Sequence, residues 1–147
     1  MPAPELRTRD ERRADTLARF ERDVDCWVSS ATPGGVPYLV PLSYLWDGEV
    51  FLLATVASSP TARNLVASGR TRLAFGATRD VVLVEGAVSR VVPDDATASA
   101  FAAATGFDPR DEPQEYAYLA VRPVTVQAWR EVNELAGRTL MKNGRWL

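Results

Sequence analysis

The run Ser58-Ser59-Pro60-Thr61-Ala62-Arg63-Asn64 gathers residue types that bind an oxyanion. Ser59 suits a helix N-cap, and Pro60 suits the first helical position, where a missing N–H costs nothing. The amides of Thr61, Ala62 and Arg63 would then point out of the helix start, at the positive end of the helix dipole. Ser58, Ser59 and Thr61 add hydroxyl donors, and Arg63 adds a full charge on the first turn. A phosphate matches this donor set. The same string also describes an ordinary Ser-Pro helix opening with a solvated arginine, and short motifs of this kind recur by chance.

Other chemistry is limited by what the chain lacks. It has no histidine, which removes Ser-His-Asp and Cys-His catalysis, most zinc sites and the commonest general base. We expect no metal site. The single cysteine, Cys26, lies in the apolar run Cys26-Trp27-Val28 and reads as a buried small hydrophobe; no intramolecular disulfide is possible. With 17 basic and 19 acidic residues and a net charge of -2, there is no excess to attract nucleic acid or an anionic membrane. The start Met1-Pro2-Ala3-Pro4-Glu5-Leu6-Arg7 has no apolar signal core, and no stretch approaches the roughly 18 to 20 apolar residues of a membrane span. These features predict a cytoplasmic protein with one domain over 1–147.

The elements that would position the anion motif follow from punctuation and periodicity. Thr8 and Glu11 have capping-box spacing ahead of Leu17, Phe20 and Val24, which predicts a helix over 9–23. Strands are predicted at 26–31, 36–46 and 49–55, joined by Thr32-Pro33-Gly34-Gly35 and by Asp47-Gly48, as an antiparallel meander. Pro37 and Pro41 cannot donate to a ladder, so the second strand should be an edge or contain a bulge. A short helix over 60–68 follows, then strands at 71–77 and 81–92. A second short helix, capped by Asp94 and stopped by Gly106, precedes strands at 116–121 and 124–129. Many antiparallel strands with few helices point to a mainly β fold, a closed or nearly closed β-barrel. The last residues, 130–147, form a tail with apolar residues around a turn, expected to dock on a partner subunit.

The order of these pieces resembles the pyridoxamine 5'-phosphate oxidase-like family of FMN-binding split barrels. The likeness runs from about Asp25 to Trp129 through Pro37-Tyr38-Leu39-Val40-Pro41-Leu42-Ser43, Trp46-Asp47-Gly48, Phe51-Leu52-Leu53-Ala54-Thr55, Ser59-Pro60-Thr61-Ala62-Arg63-Asn64-Leu65 and Val84-Glu85-Gly86. The resemblance implies a homodimeric flavoprotein with FMN, or a deazaflavin coenzyme, at the subunit interface, and an oxidoreductase that moves hydride to or from a small conjugated substrate. A non-catalytic flavin-binding module is the other implied reading. Carried over, Val40, Pro41, Leu42 and Ser43 would lie along the isoalloxazine ring, Ala54 and Thr55 against the ring or ribityl chain, and Ser58, Ser59, Thr61, Ala62 and Arg63 around the phosphate. Trp129 and Arg138 resemble a pair that some members set against the partner's cofactor. Tyr44, Trp46 and Trp129 would line a substrate pocket, and Arg7, Arg9, Arg12 and Arg13 could line a path for a deazaflavin tail. Without histidine, the vitamin B6 substrate is not implied, and no catalytic side chain is identified.

Overall fold

The computed structural model describes residues 5–147, so residues 1–4 of the expected domain and of the expected leaderless start lie outside the described residues. Helix α1, Arg9–Arg22, begins where the Thr8 hydroxyl accepts the Glu11 amide, and it buries Arg12, Thr16 and Phe20 on one face. Strands β1 (Asp25–Ala31), β2 (Pro37–Trp46) and β3 (Phe51–Val56) form the meander, and α2 (Pro60–Ser68) follows with the boundaries its caps predict. Next come β4 (Arg70–Phe75), β5 (Val81–Val91), α3 (Asp95–Thr105) and β6 (Tyr116–Trp129), then β7 (Thr139–Lys142) and β8 (Arg145–Trp146).

The strands pair in the order β3-β2-β1-β4-β5-β6, and β6 returns to pair with β3, which closes a six-stranded antiparallel barrel; β7 and β8 extend the sheet beyond β6. Closure leaves few free edges and encloses one apolar interior. Val28, Phe51, Leu53, Leu73, Val84, Leu119 and Val126 fill it with essentially no exposure. Burying each such side chain contributes about 1.5–3 kcal/mol. Phe20 from α1 plugs one end, packed against Trp46, Phe51 and Phe75 with ring centroids 5.1, 4.8 and 5.1 Å away. The Tyr44 hydroxyl donates to the Phe20 carbonyl at 2.9 Å.

Two expectations about strands are corrected. Residues 116–129 form one strand, not two, although Pro123 interrupts the pattern. The register shifts between Glu85 and Gly86, opposite Pro123, so the irregular pairing falls where the proline has no N–H to give. Gly86 is required there, because a Cβ would collide with Val121 Cγ1. The C-terminal tail docks on its own barrel. Leu140 and Met141 are buried in the core, and the β7–β8 hairpin turns through Asn143 and Gly144, both at positive φ (53° and 76°). No helix among the described residues is long and apolar enough to cross a membrane.

Candidate functional site

The site arises where β2 and β3 separate. They pair only at Tyr44, Leu45 and Trp46. Beyond Tyr44, β2 stays with β1 along Pro37 to Ser43, while Ala54, Thr55 and Val56 stay with β6. The Tyr44 amide donates to the Val24 carbonyl at 2.9 Å, and the Thr32 amide to the Val36 carbonyl at 3.0 Å. Between those two bonds, alternation directs the backbone groups of even-numbered β2 residues towards β1 and those of odd-numbered residues away from it. Pro37 and Pro41 therefore sit where no ladder donor is needed, as an edge strand requires. The amides of Leu39 and Ser43 and the carbonyl of Pro41 face the opening.

A cleft of about 410 Å³ occupies the separation, a size suited to a small organic ligand. Pro41, Leu42 and Ser43 line one wall, and Ala54, Thr55 and Val56 the other. Five of the expected ligand residues are thus brought together: Pro41, Leu42, Ser43, Ala54 and Thr55. Val40 points inward and packs on the core, so it meets this space only through its backbone neighbours. Sequence reasoning missed Asp25, Val56, Phe101, Thr105, Phe107 and Tyr116, which complete the lining. The Thr105 hydroxyl donates to the Phe101 carbonyl (2.9 Å) and accepts the Phe107 amide (3.2 Å), tying the end of α3 to the loop that overhangs the cleft.

The helix start adjoins this cleft through Thr55, whose hydroxyl lies 3.4 Å from that of Ser59. Ser59 caps α2 by accepting the Ala62 amide at 3.2 Å, and its carbonyl accepts the Arg63 amide at 3.1 Å. Two of the three amides expected to point outward are therefore satisfied inside the first turn, which leaves that of Thr61. The side chains of Thr61 and Ala62 are buried, at 2% and 1% exposure. Ser58 and Arg63 are exposed, and Arg63 forms no ion pair among the described residues. The donors that fit a phosphate are thus the Thr61 amide, the Ser58 and Ser59 hydroxyls and the Arg63 guanidinium. An open backbone edge fits the polar rim of a planar ring. The residues present suit a ligand with both parts.

Several expected residues lie elsewhere. Trp129 sits at the far end of β6 from Tyr116, roughly 40 Å along the strand at about 3.3 Å per residue, with the Arg138 guanidinium stacked 5.4 Å from its ring centroid. Within one chain it does not reach the cleft. Tyr44 and Trp46 belong to the core cluster, and burial raises the Tyr44 phenol above its ordinary range, so neither side chain lines a substrate pocket. Arg7 and Arg12 are also withdrawn. Arg7 clamps Glu134 at 3.0 and 2.7 Å, and Arg12 donates to the Glu134 carbonyl at 3.1 Å. The hydrogen bond from Arg7, together with the Arg130 amide, overcomes burial and holds the Glu134 carboxyl down at about 2. Arg13 stacks on Trp146, 4.9 Å from its ring centroid. Burial pushes the Cys26 thiol up to about 12, so it is an inert core group at ordinary pH.

A model of the pyridoxamine 5'-phosphate oxidase family matches residues 15–130, spanning the barrel, the cleft and the α2 start. No curated protein sequence matches the chain. Among solved structures, an F420 reductase is similar at 20% identity, with 74% of this chain and 93% of that one covered and a TM-score of 0.63. An FAD-binding protein from Mesorhizobium loti is similar at 15% identity (78% and 89% covered, TM-score 0.63). A haem-binding protein from Mycobacterium smegmatis is similar at 18% identity (95% and 60% covered, TM-score 0.67). Three different ligands are named on one fold, so the fold alone does not choose among them.

Proposed function

The chain belongs to the pyridoxamine 5'-phosphate oxidase family, and from that premise we propose that it is an FMN-dependent oxidoreductase acting on a small conjugated or planar substrate. The observation that carries this reading is the junction at Thr55: one residue lines the cleft between β2 and β3 and also touches the Ser59 cap of α2. A planar ring against the open β2 edge and a phosphate at the helix start would be joined there by a flexible chain.

FMN, when bound, supplies hydride chemistry that no side chain of this protein can provide. The chain's own residues bind and orient. The Ser43 amide and Pro41 carbonyl offer a donor and an acceptor to the ring edge, the Thr55 hydroxyl meets the linking chain, and Arg63 holds the phosphate as a planar fork. Phe101 and Phe107 add aromatic surface to the cleft wall for a planar ring. In the proposed homodimer, a second copy of the chain would bring Trp129 and Arg138 to the site. The inert, buried Cys26 suits a reducing cytoplasm.

Titrating the purified protein with FMN, followed by flavin fluorescence, tests the reading. Saturable quenching at one FMN per chain is expected, and Arg63→Ala should weaken it. Absence of quenching by FMN together with tight binding of a deazaflavin coenzyme would replace the cofactor. Stoichiometric FMN binding without reduction by a nicotinamide or turnover of any acceptor would make the protein a binding module.

A further inference from the structure

One charged group in the cleft is unused by this reading. Asp25 opens β1 directly across from Ser43 of β2. The pair is of the non-hydrogen-bonded type, which brings the two side chains close. The Ser43 hydroxyl donates to Asp25 Oδ1 at 2.5 Å, and both residues line the cleft. Asp25 has no ion-pair partner among the described residues. A carboxylate only accepts hydrogen bonds, and here a neighbouring donor fixes its orientation while Oδ2 keeps its full accepting capacity.

The flanking backbone groups give this carboxylate a context. The Ser43 amide is a donor on the open edge, and Asp25 Oδ2 is an acceptor on the same residue pair. A ligand edge that carries a carbonyl beside an N–H is complementary to both. The imide of an isoalloxazine pyrimidine ring is such an edge. We propose that Asp25, held by Ser43, accepts the imide N–H of the bound ring and thereby selects ligands with a donor at that position. The proposal rests on the flavin reading above.

It also sets the polarity of the site. An anionic group placed beside Asp25 would meet a like charge, whereas Arg63 lies uncompensated at the helix start. The phosphate is therefore directed to α2 and the neutral, donor-bearing edge to the β1–β2 end, with Thr55 between them.

The test compares FMN with its 3-methyl derivative, which lacks the imide hydrogen, by fluorescence titration of the wild-type protein and of Asp25→Ala. A hydrogen bond to a charged acceptor predicts that wild type prefers FMN by roughly 10- to 100-fold. Asp25→Ala should weaken FMN by a similar factor and reduce the preference to within about threefold. Asp25→Ala retaining the full preference, or wild type binding both flavins equally, overturns the proposal while leaving the flavin site in place. Binding of neither flavin to wild type refutes the flavin reading and the proposal with it. The thermal midpoint of Asp25→Ala, expected to match wild type because Asp25 is exposed, separates lost recognition from lost folding.

Discussion

Two regions of this molecule hold arginines near helix starts, and they use them in opposite ways. Ahead of and within α1, Arg7 and Arg12 are 8% and 5% exposed and close on Glu134, itself 2% exposed. Their charges are spent on holding the N-terminal helix to the turn after β6. At α2, Arg63 is exposed and meets no carboxylate among the described residues. A buried, mutually paired charge cluster is costly to break and does little besides fix geometry. An exposed, unpaired guanidinium beside a cleft adds little to stability and keeps its binding capacity for a ligand. Substitutions in the two regions should therefore move different observables.

The largest effect is expected at Glu134. Glu134→Gln removes the buried counter-charge shared by Arg7 and Arg12, leaving Arg7 only the half-exposed Asp15 at 3.1 Å, and should lower stability by about 3–5 kcal/mol in denaturant titrations. At a temperature where the variant remains folded, FMN affinity should be unchanged. Because folding depresses the Glu134 carboxyl from 4.5 to about 2, its contribution to wild-type stability is present above pH about 4.5. It is lost as the pH falls from there towards about 2. The variant should lack this contribution to acid unfolding. A variant with wild-type stability would break the contrast on its structural side.

Arg63→Ala should do the reverse. Loss of a charge-assisted contact to phosphate predicts FMN binding weaker by roughly 10- to 100-fold, with stability within about 0.5 kcal/mol of wild type. Unchanged affinity would return Arg63 to the status of a solvated surface residue. Ser59→Ala falls between the two regions in kind, since Ser59 both caps α2 and faces the cleft through Thr55. Loss of the cap should cost about 1 kcal/mol of stability. Titration should show a smaller loss of FMN affinity than Arg63→Ala produces, because the guanidinium and the Thr61 amide remain.

Sequence alone separates these regions poorly, and the reason is distance along the chain. Arg7 and its partner Glu134 are 127 residues apart, so no local pattern marks Arg7 as buried and Arg63 as free. Local signals did well where the determinants are local. Ser59, Pro60 and Gly69 delimit α2, and Asp94 and Gly106 delimit α3, because caps act within one turn. Pro37 and Pro41 disclosed the open edge of β2, and with it half of the cleft. Asp25, Phe101 and Phe107 were not legible, since they reach the cleft only through strand register and the docking of α3 on the barrel. The expected break between strands at 116–121 and 124–129 is absent, because Pro123 lies within one continuous strand and the bulge at Glu85 and Gly86 opposite it absorbs its missing N–H.

The finest test of the contrast is an unpaired group that lies outside the cleft. The Tyr118 hydroxyl is buried without a hydrogen-bond partner among the described residues, and burial raises the pKa of its phenol. It is therefore uncompensated, as Arg63 is, but it faces a separate hollow with Arg90, Arg110 and Glu115 and does not line the cleft. If binding capacity follows from being unpaired alone, Tyr118→Phe should weaken FMN. If it also requires a place on the cleft wall, the substitution only removes an unsatisfied hydroxyl, and stability should stay level or rise by up to about 1 kcal/mol with FMN affinity intact. The second outcome is expected, because the Tyr118 ring packs against Phe101 at 5.8 Å and that contact survives in phenylalanine. A tenfold loss of affinity would instead show that the ligand extends past Tyr116 and beneath α3.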